Sequence, residues 1–110
     1  MIKSIGLLTR KDGFTHEQFV RHWVDVHGPL AHAVPGLRRY VQNHIRDERS
    51  RADIPDHVIA LDGIAELWFD DRAALEAAAR TPEMQALHAD GALFIGHIRS
   101  YVVEEKTIVG

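Results

Sequence analysis

Four short apolar runs and two helical stretches follow one another as strand, helix, strand, strand, helix, strand. This order predicts an α+β fold: a four-stranded antiparallel sheet with its helices on one face. Two observations carry the prediction. The strand runs, Ile2–Thr9, Leu37–Ile45, Gly63–Phe69 and Ile98–Glu105, are rich in β-branched and aromatic residues and bounded by turn formers. The segments between the first and second runs and between the third and fourth carry apolar residues at helical spacing behind N-capping residues. The βαββαβ order is the ferredoxin-like arrangement, and 110 residues suit one domain spanning 1–110.

In the first strand Ile2, Ile5, Leu7 and Leu8 flank Gly6. Lys11-Asp12-Gly13 makes a turn, and Thr15 is the expected N-cap of the first helix, with Gln18 as its capping-box partner. Phe19, Trp23, Val26 and Leu30, at spacings of four, three and four, form the core stripe of that helix. Pro29 disfavours helical geometry at Gly28, so the helix is expected to end near His27, with a short turn over Ala31–Val34 before Pro35-Gly36. Arg46–Pro55 is polar and reads as a solvated loop. Asp70 or Asp71 caps a second helix through Ala79, and Thr81-Pro82 restarts it, with Gly91 expected to loosen its end. Thr107–Gly110 is a tail.

Composition narrows the function. Hydrophobic residues are 45% and charged residues 26%, as in an ordinary globular chain. A net charge of −3 disfavours binding to nucleic acid, which rewards basic chains. The absence of cysteine excludes disulfides, a thiolate nucleophile, a zinc–cysteine site and a cysteine-held iron–sulfur cluster. No run approaches the ~18 apolar residues of a membrane span. Met1-Ile2-Lys3-Ser4 does not open a signal peptide, so a cytoplasmic location is expected. No G-x-G-x-x-G or Walker A sequence is present, and no cofactor is expected.

Helices on one side leave the other face of the sheet bare. Neither parity of the strands is purely polar: Glu66 and Trp68 share one face of the third strand, Ala65, Leu67 and Phe69 the other. A second copy covering the bare face, as a homodimer, is the economical reading.

Eight histidines stand out. His16, His22, His27 and His32 are spaced by six, five and five residues, and His88 and His97 by nine, so none forms an i, i+3 or i, i+4 metal pair and no metal is expected. His22 reads as a solvated partner of Asp25, His16 as a surface residue, and His44 and His97 as strand-end residues. His57 lies in the loop before the third strand, where functional side chains often sit. His27, four residues after Trp23 and next to Gly28-Pro29, has two readings: a helix-end residue favoured by the dipole, or a general acid/base titrating near working pH.

Phe19, Trp23, His27-Gly28-Pro29-Leu30, Pro35-Gly36-Leu37 and Tyr40, followed by Glu66-Leu67-Trp68-Phe69, Phe94 and Glu104-Glu105, resemble the EthD family of the dimeric α+β barrel superfamily. The resemblance runs over nearly the whole chain except the 46–62 loop. It implies a protomer that pairs through its sheet and holds a small-molecule cavity between sheet and helices. Such proteins act in ether and aromatic degradation, methylmuconolactone isomerisation, and cyclisation or decarboxylation of polyketide-like compounds.

The family's helix-end histidine and second-strand tyrosine fall at His27 and Tyr40. Lactone isomerases of the family add a loop histidine, matched by His57 across a gap, and a third-strand cysteine, whose position is Leu67 here. Without that thiol the chemistry falls to imidazole and phenol. His27 or His57 takes a proton beside a carbonyl, and Tyr40 bonds the developing enolate oxygen. Arg39 or Arg38 could hold a substrate carboxylate, but only one can face the cavity because adjacent strand residues point to opposite sides. Trp23 and Leu67 would line the substrate site, although Trp23, like Trp68 and Phe69, also fits a core role. The expected activity is cofactor-independent acid/base chemistry on a lactone, aromatic or polyketide-like carbonyl compound, by an isomerase, cyclase, lyase or oxygenase. The alternatives are a non-catalytic binding or accessory protein and a haem-binding protein with His27 as axial ligand.

Overall fold

The computed structural model describes residues 1–110. Four strands, β1 (Ile2–Arg10), β2 (Arg39–His44), β3 (Gly63–Phe69) and β4 (Ile95–Val103), form one antiparallel sheet in the order β2-β3-β1-β4. The helices are α1 (His16–His22), α2 (Gly28–Leu30), α3 (Arg72–Ala79) and α4 (Pro82–Phe94). A π turn, Trp23–His27, joins α1 to α2, and a 3₁₀ turn, Ala31–Ala33, follows.

The predicted caps form. Thr15 and Gln18 make a reciprocal capping box at α1, with Gln18 N–H donating to Thr15 Oγ1 (3.1 Å) and Thr15 N–H to Gln18 Oε1 (2.8 Å). Asp71, rather than Asp70, caps α3 by accepting from Ala74 N–H at 2.8 Å. Thr81 caps α4 with Pro82 in its first turn. Gly36 takes φ +79°, a left-handed turn that glycine adopts without steric cost.

Three boundaries differ from the sequence reading. The helical path does not stop at His27. Gly28 keeps right-handed helical angles (φ −53°, ψ −47°) and the path continues through Leu30. Gly28 has no Cβ to collide with the Pro29 ring, and the wider π turn before it accommodates the imino nitrogen. Gly91 does not fray α4, which runs on to Phe94, because Gly91 is buried against His27. Strand β4 begins at Ile95, directly after α4, where Lys11 N–H takes the Phe94 carbonyl at 2.8 Å and turns the chain into the sheet.

The core lies between the sheet and the helices. Leu8, Phe19, Trp23, Ala65 and Phe94 form one cluster, and Ala31, Val34, Phe69, Ala78, Met84 and Leu87 the other. Strand alternation therefore turns Tyr40, Gln42 and His44 of β2 inward, beside Leu67, Ala65 and Gly63 of β3. Across the opposite face run the rows Arg39, Trp68, Lys3, Val103 and Val41, Glu66, Ile5, Tyr101. No helix covers this second face. Trp68 is nevertheless buried there, because Lys3 and Arg39 lie over its ring and its Nε1–H donates to Glu105 Oε1 at 2.7 Å. No helix is long and apolar enough to cross a membrane.

Candidate functional site

The π turn places the two predicted side chains. Gly28 N–H donates to the Trp23 carbonyl, five residues back, and the widened turn has Trp23 at one end and His27 at the other. Trp23 points into the sheet. It stacks on His44 (centroids 5.1 Å apart) and covers Gly63. His27, four residues further on, faces α4 instead.

There Nδ1 of His27 lies 2.8 Å from Oδ2 of Asp90. The imidazole edge meets Phe94 (5.2 Å), and Cε1 lies alongside Gly91. His27 is 8% exposed. Burial pulls its pKa below the usual imidazole value and outweighs the support of the Asp90 bond and charge; His22 and His88 nearby push the same way as burial. The ring is therefore neutral at physiological pH. Its Nδ1–H is held by a carboxylate, and the lone pair on Nε2 has no partner in the protein. Nε2 of His22 also donates to Asp90, at 3.1 and 3.2 Å from its two oxygens, so the solvated pairing with Asp25 expected for His22 is replaced by this shared carboxylate.

A second network surrounds Tyr40. Trp23 Nε1–H donates to the Tyr40 hydroxyl at 3.0 Å, and so does Gln42 Nε2, also at 3.0 Å. Gln42 Nε2 donates in addition to the Trp23 carbonyl at 2.8 Å, and His44 Nε2 to Gln42 Oε1 at 3.0 Å. Burial raises the Tyr40 pKa, against the two donated bonds, so the phenol keeps its proton. His44 is held below the usual imidazole range by burial first, then by His16 and Arg46.

The structure divides the predicted residues: His27 faces α4 and Asp90, whereas Trp23 and Leu67 lie beside Tyr40 on the inward face of the sheet. Leu67 pairs with Tyr40 across β2–β3 on the inward face. Trp23 is fully buried and serves Tyr40 as a hydrogen-bond donor. Arg39 lies on the outward face over Trp68, opposite to Tyr40, while Arg38, just before β2, is exposed and paired with Asp70 (2.9 Å). His57 is exposed in the loop between β2 and β3 and makes no hydrogen bond to His27 or Tyr40. His16, expected at the surface, bonds the buried Asp62 at 2.8 Å together with Arg10, which ties the end of that loop to β1.

No set of three or more His, Asp or Glu side chains converges as a metal ion would require.

Asp90 and Gln42 were not singled out from the sequence, and His44, read there as a strand-end residue, turns inward onto Trp23 instead, although a signal for each exists. Asp90 and Gly91 interrupt the Leu87–Phe94 stripe of α4, and a carboxylate on an apolar stripe must find a partner. Gln42 and His44 share the strand parity of Tyr40, so an inward Tyr40 makes them inward polar groups.

A sheet ordered β2-β3-β1-β4 with helices on one face defines the ferredoxin-like α+β class. Residues 11–98 match the EthD domain, and the chain belongs to the EthD family. An EthD (ethyl tert-butyl ether D) family protein from Bacillus halodurans is 27% identical, with a TM-score of 0.77 over 96% of this chain and 99% of that one. A DABB-family protein with a ferredoxin-like fold from Mesorhizobium loti is 17% identical, with a TM-score of 0.67 over 96% and 97% of the two chains. A dimeric protein of ferredoxin-like fold from Bacteroides fragilis is 13% identical, with a TM-score of 0.68 over 94% and 95%. No curated protein matches the chain at a significant level.

Proposed function

We propose that this EthD-family protein is a cofactor-independent enzyme that moves a proton beside a carbonyl in a lactone, aromatic or polyketide-like compound. The carrying observation is the buried His27 ring, with Nδ1 anchored 2.8 Å from Asp90 and Nε2 left open. Nε2 takes the proton from the carbon next to the carbonyl, and Asp90 balances the charge that appears on the ring. Tyr40, protonated and bound to the other end of the same π turn, donates to the oxygen on which negative charge develops. Leu67 supplies an apolar wall next to Tyr40. His57, carried by a solvent-facing loop, has a role only if that loop folds over a ligand.

We further propose that the protein works as a homodimer, with two copies packing through the outward sheet face. Val41, Ile5, Ile64, Leu7 and Tyr101 supply its apolar surface, and structurally similar proteins from Bacteroides fragilis and Thermobifida fusca are described as dimeric.

The test is deuterium uptake in D₂O. Candidate lactones, aromatic ketones and polyketide-like ketones are incubated with the protein, and loss of the C–H signal beside the carbonyl is followed by NMR. Catalysed exchange that falls by ~10²–10⁴ in His27→Gln, with the variant still folded, supports the reading. Exchange that is catalysed equally well by His27→Gln removes it.

A further inference from the structure

Hydrogen-bond direction around Tyr40 can be assigned atom by atom. The Trp23 carbonyl is only an acceptor, so the Gln42 atom 2.8 Å from it is the amide nitrogen. The opposite end of the Gln42 amide is then an acceptor, and His44 Nε2–H donates to it at 3.0 Å. The amide nitrogen has a second hydrogen, and the Tyr40 oxygen lies 3.0 Å away to receive it. Trp23 Nε1, which can only donate, fills the other side of that oxygen at 3.0 Å. Both lone pairs of the phenol are thus occupied, and no protein group accepts its O–H. Tyr40 is half-buried on the inward face.

We propose that Gln42, held in its orientation by His44 and the Trp23 carbonyl, is a positioning residue that makes Tyr40 a one-way hydrogen-bond donor. It thereby selects ligands that present an acceptor oxygen at this point. A carbonyl, enolate or phenolate oxygen meets the free O–H. A ligand group that can only donate finds no lone pair on Tyr40. The proposal rests on the reading of Tyr40 as the oxygen-binding group and adds the residue that dictates its polarity. The same geometry explains why a glutamine, with one donor end and one acceptor end, stands where a carboxylate would reverse the pattern. A glutamate at this position would accept the Tyr40 O–H and turn it inward. Gly28 belongs to the arrangement as well, since a Cβ there would press on both Gln42 Nε2 and the Trp23 carbonyl at 3.3 Å.

The experiment uses the full chain carrying Tyr101→Phe, which leaves Tyr40 as the single tyrosine. The tyrosine doublet in its ultraviolet resonance Raman spectrum distinguishes a phenol that accepts from one that donates. In the Tyr101→Phe protein the doublet should have the form of a strong acceptor, and adding Gln42→Glu should convert it to that of a donor. Gln42→Met, which removes the amide without adding charge, should move it in the same direction by a smaller amount and serves if the glutamate variant does not fold. 4-Nitrophenolate, a coloured acceptor probe, should bind at least about tenfold more weakly to Gln42→Glu than to its parent. A doublet that is the same with Gln42, Glu or Met overturns the proposal. The Raman readout needs no substrate, so a changed doublet together with a failed deuterium-uptake test would reject the proposed reaction and leave the role of Gln42 standing.

Discussion

Oδ2 of Asp90 accepts from Nδ1 of His27 across 2.8 Å, joining the π turn to α4 over 63 residues of sequence. The bond fixes which nitrogen of the buried ring carries the hydrogen, and so which one is free to act as a base. A carboxylate that also holds His22 is braced from two sides.

Asp90→Ala should therefore do two things. It leaves the Nδ1–H of His27 and the Nε2–H of His22 without their acceptor, at a cost of about 1–3 kcal/mol measured by urea unfolding. It also removes the one influence that supports the charged form of His27, so the ring should titrate at still lower pH by NMR. An unmoved titration would mean that Asp90 does not govern the ring.

Gly63→Ala tests the platform under Trp23. A β-carbon at residue 63 would lie 2.7 Å from Trp23 Cη2 and closer still to Cζ3. Trp23 is fully buried and cannot move without disturbing Tyr40 and His44. Overpacking of this kind costs about 1–3 kcal/mol. The variant should unfold earlier in urea and show a shifted indole Nε1–H resonance.

Acidification should weaken the fold in the range where imidazoles titrate. His27 and His44 are both held below the ordinary value of 6.5, chiefly by burial. Near pH 6 the unfolded chain therefore binds more protons than the folded one. The stabilisation tied to these two groups is complete above about pH 6.5 and falls as the pH drops toward their folded-state values. Thermal midpoints should decrease from pH 7.5 to pH 5.5, and the decrease should shrink in a His27→Gln, His44→Gln double variant. A midpoint that does not change over this interval would count against the neutral state of both rings.

The proposed dimer gives a mass near twice 12.4 kDa in light scattering. Ile5→Asp places a charge in the middle of the outward face, beside Glu66. It should yield a smaller species that keeps the secondary structure. A wild-type protein that stays at the single-chain mass at micromolar concentration would rule out this interface.

The fold was legible because its signals are local. Thr15, Asp71 and Thr81 cap their helices through their own neighbours, and strand alternation puts Tyr40, Leu67 and Phe69 on the buried face. The path after His27 was misread because Pro29 breaks an ordinary α-helix but not a π turn followed by glycine, and hydrophobic spacing does not distinguish the two. The site was half legible. His27 and Tyr40 are marked by residue type and resemblance. Asp90, the partner of His27, is chosen by a tertiary contact 63 residues away that no local period encodes, whereas Gln42 follows from strand parity once Tyr40 is known to face inward. Arg39 illustrates the remaining limit. Its neighbour Tyr40 faces inward, which sends Arg39 to the outward face, and only the built sheet shows which parity is which.

The state of the His27 ring can be read directly from a long-range ¹H–¹⁵N correlation spectrum of uniformly labelled protein at pH 7, assigned with the His27→Gln variant. A buried base oriented by Asp90 requires a neutral ring with a protonated Nδ1 and a bare Nε2. Two protonated nitrogens, or hydrogen on Nε2 with Nδ1 bare, would mean that His27 cannot accept a proton from a substrate and would contradict the proposed chemistry.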